Sequence, residues 1–232
     1  MRSIVTAIAL VSLASAALAG PIHDVQTGVY AEGDYVNVVC AVVTASATYG
    51  VAIAEAPFGV YDSVWVYLGS GHGVAVGSIV NVYGVYEEYY DLTEINVGYY
   101  TSADPAAFCT VVGTCTEMPD PLVVSAEAIM ADPEPYESCI VWLRDGFSVT
   151  EILTYGEWKA VSITSGQEIY FDDYWYDETV LAVDDCANWA LGMWTYSYGL
   201  FKLEPFADGF PLVGCAVGTE PHTFGQIKSM FR

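Results

Sequence analysis

The chain of 232 residues predicts an all-β protein built as two similar halves, and three observations carry that expectation. Alternating, β-branched or aromatic runs recur, as in Tyr35 to Thr44, Val64 to Tyr67 and Ile79 to Tyr86, with Gly, Pro and Asp between them. Capped segments with a helical period are scarce; Pro105 to Phe108 and Asp185 to Ala190 have room only for short turns. Short motifs also return in the same order. Val43-Thr44 with Thr48-Tyr49-Gly50 recurs as Val149-Thr150 with Thr154-Tyr155-Gly156, at an offset of 106. Gly84-Val85-Tyr86, Tyr90, Leu92 and Ile95 recur as Gly192-Met193-Trp194, Tyr198, Leu200 and Leu203, at an offset of 108.

From the N-terminus, residues 1–19 have the form of a cleavable signal peptide. Arg2 gives the positive start, Ile4 to Leu13 the apolar run, and Ala17-Leu18-Ala19 the small-residue cleavage pattern before Gly20. That run is shorter than the roughly 20 residues that span a bilayer, and no later segment is long or apolar enough, so no membrane span is expected. The mature chain is then secreted and extracellular, and it keeps 29 acidic residues against five basic ones. Residues 20–118 form the first half and 119–215 the second, with Met118-Pro119-Asp120-Pro121 as the linker. Each half, about 95 residues, suits a small closed barrel. The other arrangement is one β-sandwich, which has no need of the same motif order twice.

The formal charge of −23 argues against a basic-patch nucleic-acid binder, since that affinity rests on Lys and Arg neutralising phosphates. An aromatic content of 14% argues against disorder. Six cysteines, Cys40, Cys109, Cys115, Cys139, Cys186 and Cys215, make an even set. An oxidising compartment favours up to three disulfides, with fifteen connectivities open. No Cys-x-x-Cys supports zinc or haem, and no Asn-x-Ser/Thr glycan acceptor occurs.

Several segments resemble the OB-fold accessory modules of bacterial secreted nucleases and related extracellular proteins. Ile22-His23-Asp24-Val25-Gln26 is similar to their "I-x-D-I-Q" opening, and Asp62-Ser63-Val64-Trp65-Val66-Tyr67 to "D-G-I-F-V-Y". The run from Val74 to Gly84 resembles "V-x-V-G-D-x-V-x-V-x-G", with Ser78 in place of the Asp, and Tyr89 to Ile95 resembles "Y-Y-G-L-T-E-I". In the second half, Tyr136-Glu137 and the stretch from Tyr196 to Pro205 look like the partner module. An insertion, Asn96 to Ala107, departs from the pattern. The resemblance covers residues 22 to 213 and implies two consecutive five-stranded OB-like barrels. In the nucleases such modules accompany a separate catalytic domain, for which this sequence leaves no room.

No motif for a nucleophile elbow, zinc helix or phosphate loop is present. Of His23, His72 and His222, His72 lies in a glycine-rich loop with the hydroxyl of Ser70 two residues away. No third group orients them as a catalytic set requires, so no enzymatic activity and no catalytic residue is expected. Acidic clusters at Glu87-Glu88 with Asp91 and Glu94, at Asp172-Asp173 with Asp177-Glu178, and at Asp184-Asp185 invite a metal test. Loop carboxylates can supply oxygens to Ca2+, and Asp172, Asp173, Asp177 and Glu178 are the candidates. A dedicated calcium-loop order is missing, and a solvated acidic surface serves solubility.

The aromatic residues are the most suggestive feature. OB barrels bind ligands on the face of strands 2–3 and the adjoining loops. Tyr49, Trp65, Tyr67, Tyr89 and Tyr90 fall there in the first half, and Tyr155, Trp158, Tyr196 and Tyr198 in the second, with Tyr170 and Phe171 beside them. Rings on such a face stack on bases or sugars; strand alternation sends others into the core. The expected partner is an extracellular polymer, glycan or nucleic acid. The other reading is a structural subunit of a filament or surface assembly. There the basic and aromatic tail, residues 216–232 with Phe224, Lys228, Phe231 and Arg232, docks on an acidic copy of the same chain. The tail resembles short endings on other secreted bacterial proteins.

Overall fold

The computed structural model describes residues 20–99 and 106–215. The signal-peptide and tail expectations, and the centre of the Asn96–Ala107 insertion, lie outside the described residues. The all-β expectation holds, and the strands fall into two sheets, each drawn from one half of the chain. The strands of the halves do not interleave, so the single sandwich is not the arrangement adopted.

The first sheet contains β1 (Tyr35–Ser46), β2 (Gly50–Ala54), β3 (Ser63–Tyr67), β4 (Ser78–Tyr89), β5 (Leu92–Asn96) and β6 (Phe108–Thr114). Its order is β1-β2-β3-β5-β4-β6, and β1 also pairs with β4, which closes a five-stranded OB-like barrel. Only β3 and β5 run parallel within it. One strand can serve two partners because β1 is bulged: its register shifts between Val38 and Ala41 against β4, and between Val43 and Ala45 against β2. Alternate valines and isoleucines point inward, including Val36, Val38, Ile53, Val66, Val82 and Ile95.

A short helix, α1 (Pro21–Gln26), lies against this barrel with Ile22 and Val25 in its core. Six residues are too few to display a helical period, so in the sequence this stretch stands out only as a motif. The fold gives the motif a structural meaning. The Ile22 amide donates to Glu55 Oε1 at 2.7 Å, and Gln26 Nε2 donates to the Ser63 carbonyl at 2.7 Å.

The second sheet contains β7 (Leu122–Val124), β8 (Ile140–Leu143), β9 (Phe147–Ile152), β10 (Trp158–Ser162), β11 (Glu168–Phe171), β12 (Cys186–Ala187), β13 (Ala190–Ser197), β14 (Leu200–Pro205) and β15 (Leu212–Val213). Its order is β15-β12-β9-β10-β11-β14-β13-β8-β7. The run from β9 to β8 repeats the first barrel's order, with β11 and β14 parallel as β3 and β5 are. Here two strands, β8 and β9, take the place of β1, so the sheet curls as a half-barrel. The break between them is fixed by Asp145, whose carboxylate accepts the Ala126 amide (2.8 Å) and the Ser162 hydroxyl (3.1 Å). Ala126 begins a second helix, α2 (Ala126–Ala131), and Ser125 Oγ caps it by accepting the Ala128 amide. Rings fill the wider interior: Phe147, Trp158, Phe171, Trp194 and Phe210 are all buried.

Two expectations need correction. The segments expected to allow only turns contribute strand instead: Phe108 starts β6, and Cys186–Ala187 forms β12. Of the six cysteines, only Cys186 and Cys215 are joined; Cys40, Cys109, Cys115 and Cys139 are thiols. The fold separates them. Cys139 is buried in the second core with Sγ towards the Gly59 carbonyl, and Cys109 packs against the first core. Cys40 sits on the exposed bulge of β1, and the Cys115 thiol meets the Glu117 carbonyl. Burial pushes the Cys139 thiol up to about 12 and that of Cys109 to about 11, so both are protonated and unreactive.

Candidate functional site

The outer face of β3, β5 and β4 looks toward the second half. Register places Trp65 beside Glu94, Tyr67 beside Asn96, and Glu94 opposite Glu87. Gly50 makes room for the Trp65 indole, because a Cβ there would fall 2.8 Å from the ring and 2.4 Å from the Val66 carbonyl oxygen. The facing wall is the hairpin of β13 and β14, with Met193, Thr195 and Glu204, together with the loop after β11 that carries Tyr174 and Trp175. Buried Ala45, Ala52 and Met193 join the walls below. Trp175 pins them: its Nε1 donates to the Ser46 carbonyl at 3.0 Å, and its ring lies 5.5 Å from Phe206. A groove of about 470 Å³ runs between the walls.

Two hairpin turns guard one mouth of the groove. Tyr89 pairs with Leu92 and Ser197 with Leu200, leaving the two-residue turns Tyr90-Asp91 and Tyr198-Gly199. Both central residues of each have positive φ (53° and 64°; 51° and 85°), as the turn geometry matching strand twist requires. Tyrosine is costly there, yet Tyr90 is 77% and Tyr198 94% exposed. The chain holds two rings outward at strained positions where glycine or asparagine would be easier. Tyr89, Tyr90, Tyr196 and Tyr198 together border a space of about 610 Å³.

The structure brings together most of the aromatic residues singled out from sequence. Tyr49, Trp65, Tyr67, Tyr89, Tyr196 and Tyr198 line the groove, and Tyr90 stands at its mouth. Tyr155 stands in the longer turn between β9 and β10, also at positive φ (66°) and followed by Gly156 at 83°, but it is not among the groove's lining residues. Trp158 is corrected: it is fully buried, stacked 5.3 Å from Phe171, and cannot touch a ligand. Carrying Ala52 forward by 106 lands on Trp158, yet Ala52 faces outward and Trp158 inward. A one-residue slip between the halves reverses the side, because strand faces alternate.

Sequence reasoning missed Tyr174, Trp175, Glu94 and Glu204 as groove residues. The first two were legible as the ring triplet Tyr174-Trp175-Tyr176 between acidic pairs; the carboxyls acquire their character only from burial. Desolvation, with Glu87 adjacent, pushes Glu94 up to about 8. Desolvation, with Asp172 nearby, does the same to Glu204. Beneath them Lys202 is fully buried, paired with Glu157 and with Asp172 at 3.2 Å. Its Nζ lies 5.6 Å from the centre of the Tyr198 ring.

The calcium candidates do not converge. Asp172 turns to Lys202, Asp177 caps Thr179, and among the described residues no group of three or more His, Cys, Asp or Glu could hold a metal ion. His72 is a staple of its loop: Nε2 meets the Ala47 carbonyl at 2.8 Å and Nδ1 accepts the Val74 amide at 3.1 Å. No helix among the described residues is long and apolar enough to cross a membrane. No protein-family model matches the chain, and no curated protein matches it either. The groove itself therefore carries the functional argument.

Proposed function

We propose that the protein is a secreted, non-catalytic binding protein whose two OB-like halves, related to accessory modules of extracellular enzymes, grip a glycan chain in the groove between them. The carrying observation is that rings from both halves, Trp65, Tyr67, Tyr89, Trp175, Tyr196 and Tyr198, meet along one cleft. Flat rings offer faces to sugar C–H surfaces, and buried carboxyls offer hydrogen bonds to hydroxyls. Nucleic acid fits poorly, because the excess of acidic residues repels a polyanion and the groove wall's one lysine-bearing strand buries its cation. Retention on immobilised glycans tests the reading. Each of Trp65→Ala and Tyr198→Ala is expected to weaken retention about tenfold, in line with the roughly 1–3 kcal/mol of a stacked nucleobase. Binding unaffected by both substitutions refutes it.

A second reading, a structural subunit of an extracellular assembly, is favoured by one observation. β6 ends its sheet and exposes Phe108, Val111 and Val112, an edge suited to strand pairing with another copy. Light scattering with and without residues 216–232 separates the readings: polymers that vanish on deletion favour assembly through the tail.

A further inference from the structure

We propose that the ligand of the groove carries ammonium groups, as a polymer of unacetylated amino sugars does, and that its amines sit against Glu87 and Glu94. This rests on the glycan reading above and specifies the chemistry it recognises.

Glu87 and Glu94 face each other directly across β4 and β5. Glu94 is only 3% exposed, and burial beside Glu87 pushes it up to about 8, so near neutral pH it keeps its proton in the free protein. An ammonium group beside the pair can take that proton's place, because a nearby positive charge favours the ionised carboxyl. Among the described residues no Lys or Arg side chain is paired with either carboxyl. The Lys and Arg side chains among the described residues are engaged elsewhere: Arg144 over Trp142, Lys159 with Glu151, Lys202 with Glu157 and Asp172. Asn96 Nδ2 reaches both carboxyls, at 2.5 Å from Glu87 and 3.4 Å from Glu94, and the two carboxyls are themselves hydrogen-bonded.

The surroundings suit an organic cation. Tyr67, Tyr89 and Tyr99 line the space above the pair, about 660 Å³, and ring faces attract ammonium groups. Tyr67, Tyr89 and Glu94 line this space and the groove alike, so one chain can occupy both. The carboxyls do not converge as a hard metal ion demands. A cation borne on a sugar ring needs only two carboxyls on one side and aromatic faces around it. The acidic excess of the whole chain steers such a ligand inward.

Calorimetric titration of the full chain at about pH 6, where amines are charged, provides the test. The probes are a β-1,4-linked glucosamine hexamer, its fully N-acetylated counterpart and hexalysine. The amino sugar is expected to bind at least about tenfold tighter than either of the others. Glu87→Gln with Glu94→Gln is expected to abolish that preference, bringing the two hexamers to equal affinity; Glu87→Gln alone, at the less buried position, shows the same trend. Equal affinity for the two sugars overturns the ammonium inference and leaves the glycan reading standing. Failure to bind either sugar sinks both. Hexalysine binding as tightly as the amino sugar overturns the sugar specificity, and a preference that survives the double substitution overturns the placement at Glu87 and Glu94.

Discussion

Replacing Trp175 probes how the two halves are held. Its indole is half-buried between them, and its N–H is donated to the Ser46 carbonyl of the first barrel at 3.0 Å. Truncating a fully buried tryptophan to alanine costs about 3–5 kcal/mol. Half-burial reduces that packing loss to about 2, and the hydrogen bond adds about 1. Trp175→Ala is therefore expected to destabilise the protein by about 3 kcal/mol, and Trp175→Phe, which keeps a ring against Phe206 but loses the donor, by about 1–2. Urea unfolding followed by near-ultraviolet circular dichroism measures both. With a slope of about 2–3 kcal/mol per molar, the alanine variant moves the midpoint down by about 1 M or slightly more. Equal midpoints for alanine and phenylalanine show that packing contributes nothing beyond the bond. A wild-type midpoint in both variants shows that Trp175 does not join the halves.

Other residues make sharper or simpler claims. Glu94, Glu137 and Glu204 are each pushed up to about 8, mainly by burial. The folded state therefore binds more protons than the unfolded chain from about pH 4.3, the unperturbed value, to about 8. Stability falls as pH rises through that window, so the melting temperature should be lower at pH 8.5 than at pH 5. Glu137→Gln, which keeps an acceptor for the Thr93 amide, should flatten the slope, whereas a melting temperature that climbs with pH contradicts the assignment. Trp158→Ala should cost about 3–5 kcal/mol in chemical denaturation while Trp65→Ala costs much less, and equal losses would mean the inward and outward faces are misassigned. Lys202→Met leaves Glu157 and Asp172 facing each other, and a loss of about 3 kcal/mol is expected; an unchanged midpoint removes the pair from the account.

Much of the fold is legible in the sequence because barrel strands alternate so regularly. Val36, Val38, Val80 and Val82 announce an inward face, and two sets of repeated motifs announce two sheets. What alternation cannot supply is register between the halves. Trp158 stands one position out of step with its counterpart, which moves it from the ligand face to the core. The break at Asp145, which splits one strand into β8 and β9, rests on hydrogen bonds to Ala126 and Ser162 that no local pattern reveals. The rings of the groove were visible as a strand 2–3 surface, whereas Glu94 and Glu204 look like any surface acids until the opposite half removes their water. The cysteines misled because their even number says nothing of distance. Cys139 and Cys109 serve as small apolar side chains in two separate cores.

The groove has one wall from each half, and the hairpins at its mouth are the same hairpin twice over. A single half would present its tyrosine turn with nothing opposite. Had the walls come from two separate chains, their meeting would depend on concentration, and dilution would take the cleft apart by dissociation. Joining both walls in one polypeptide fixes their effective concentration at a value set by the linker and the packing around Trp175. The cleft then survives any dilution.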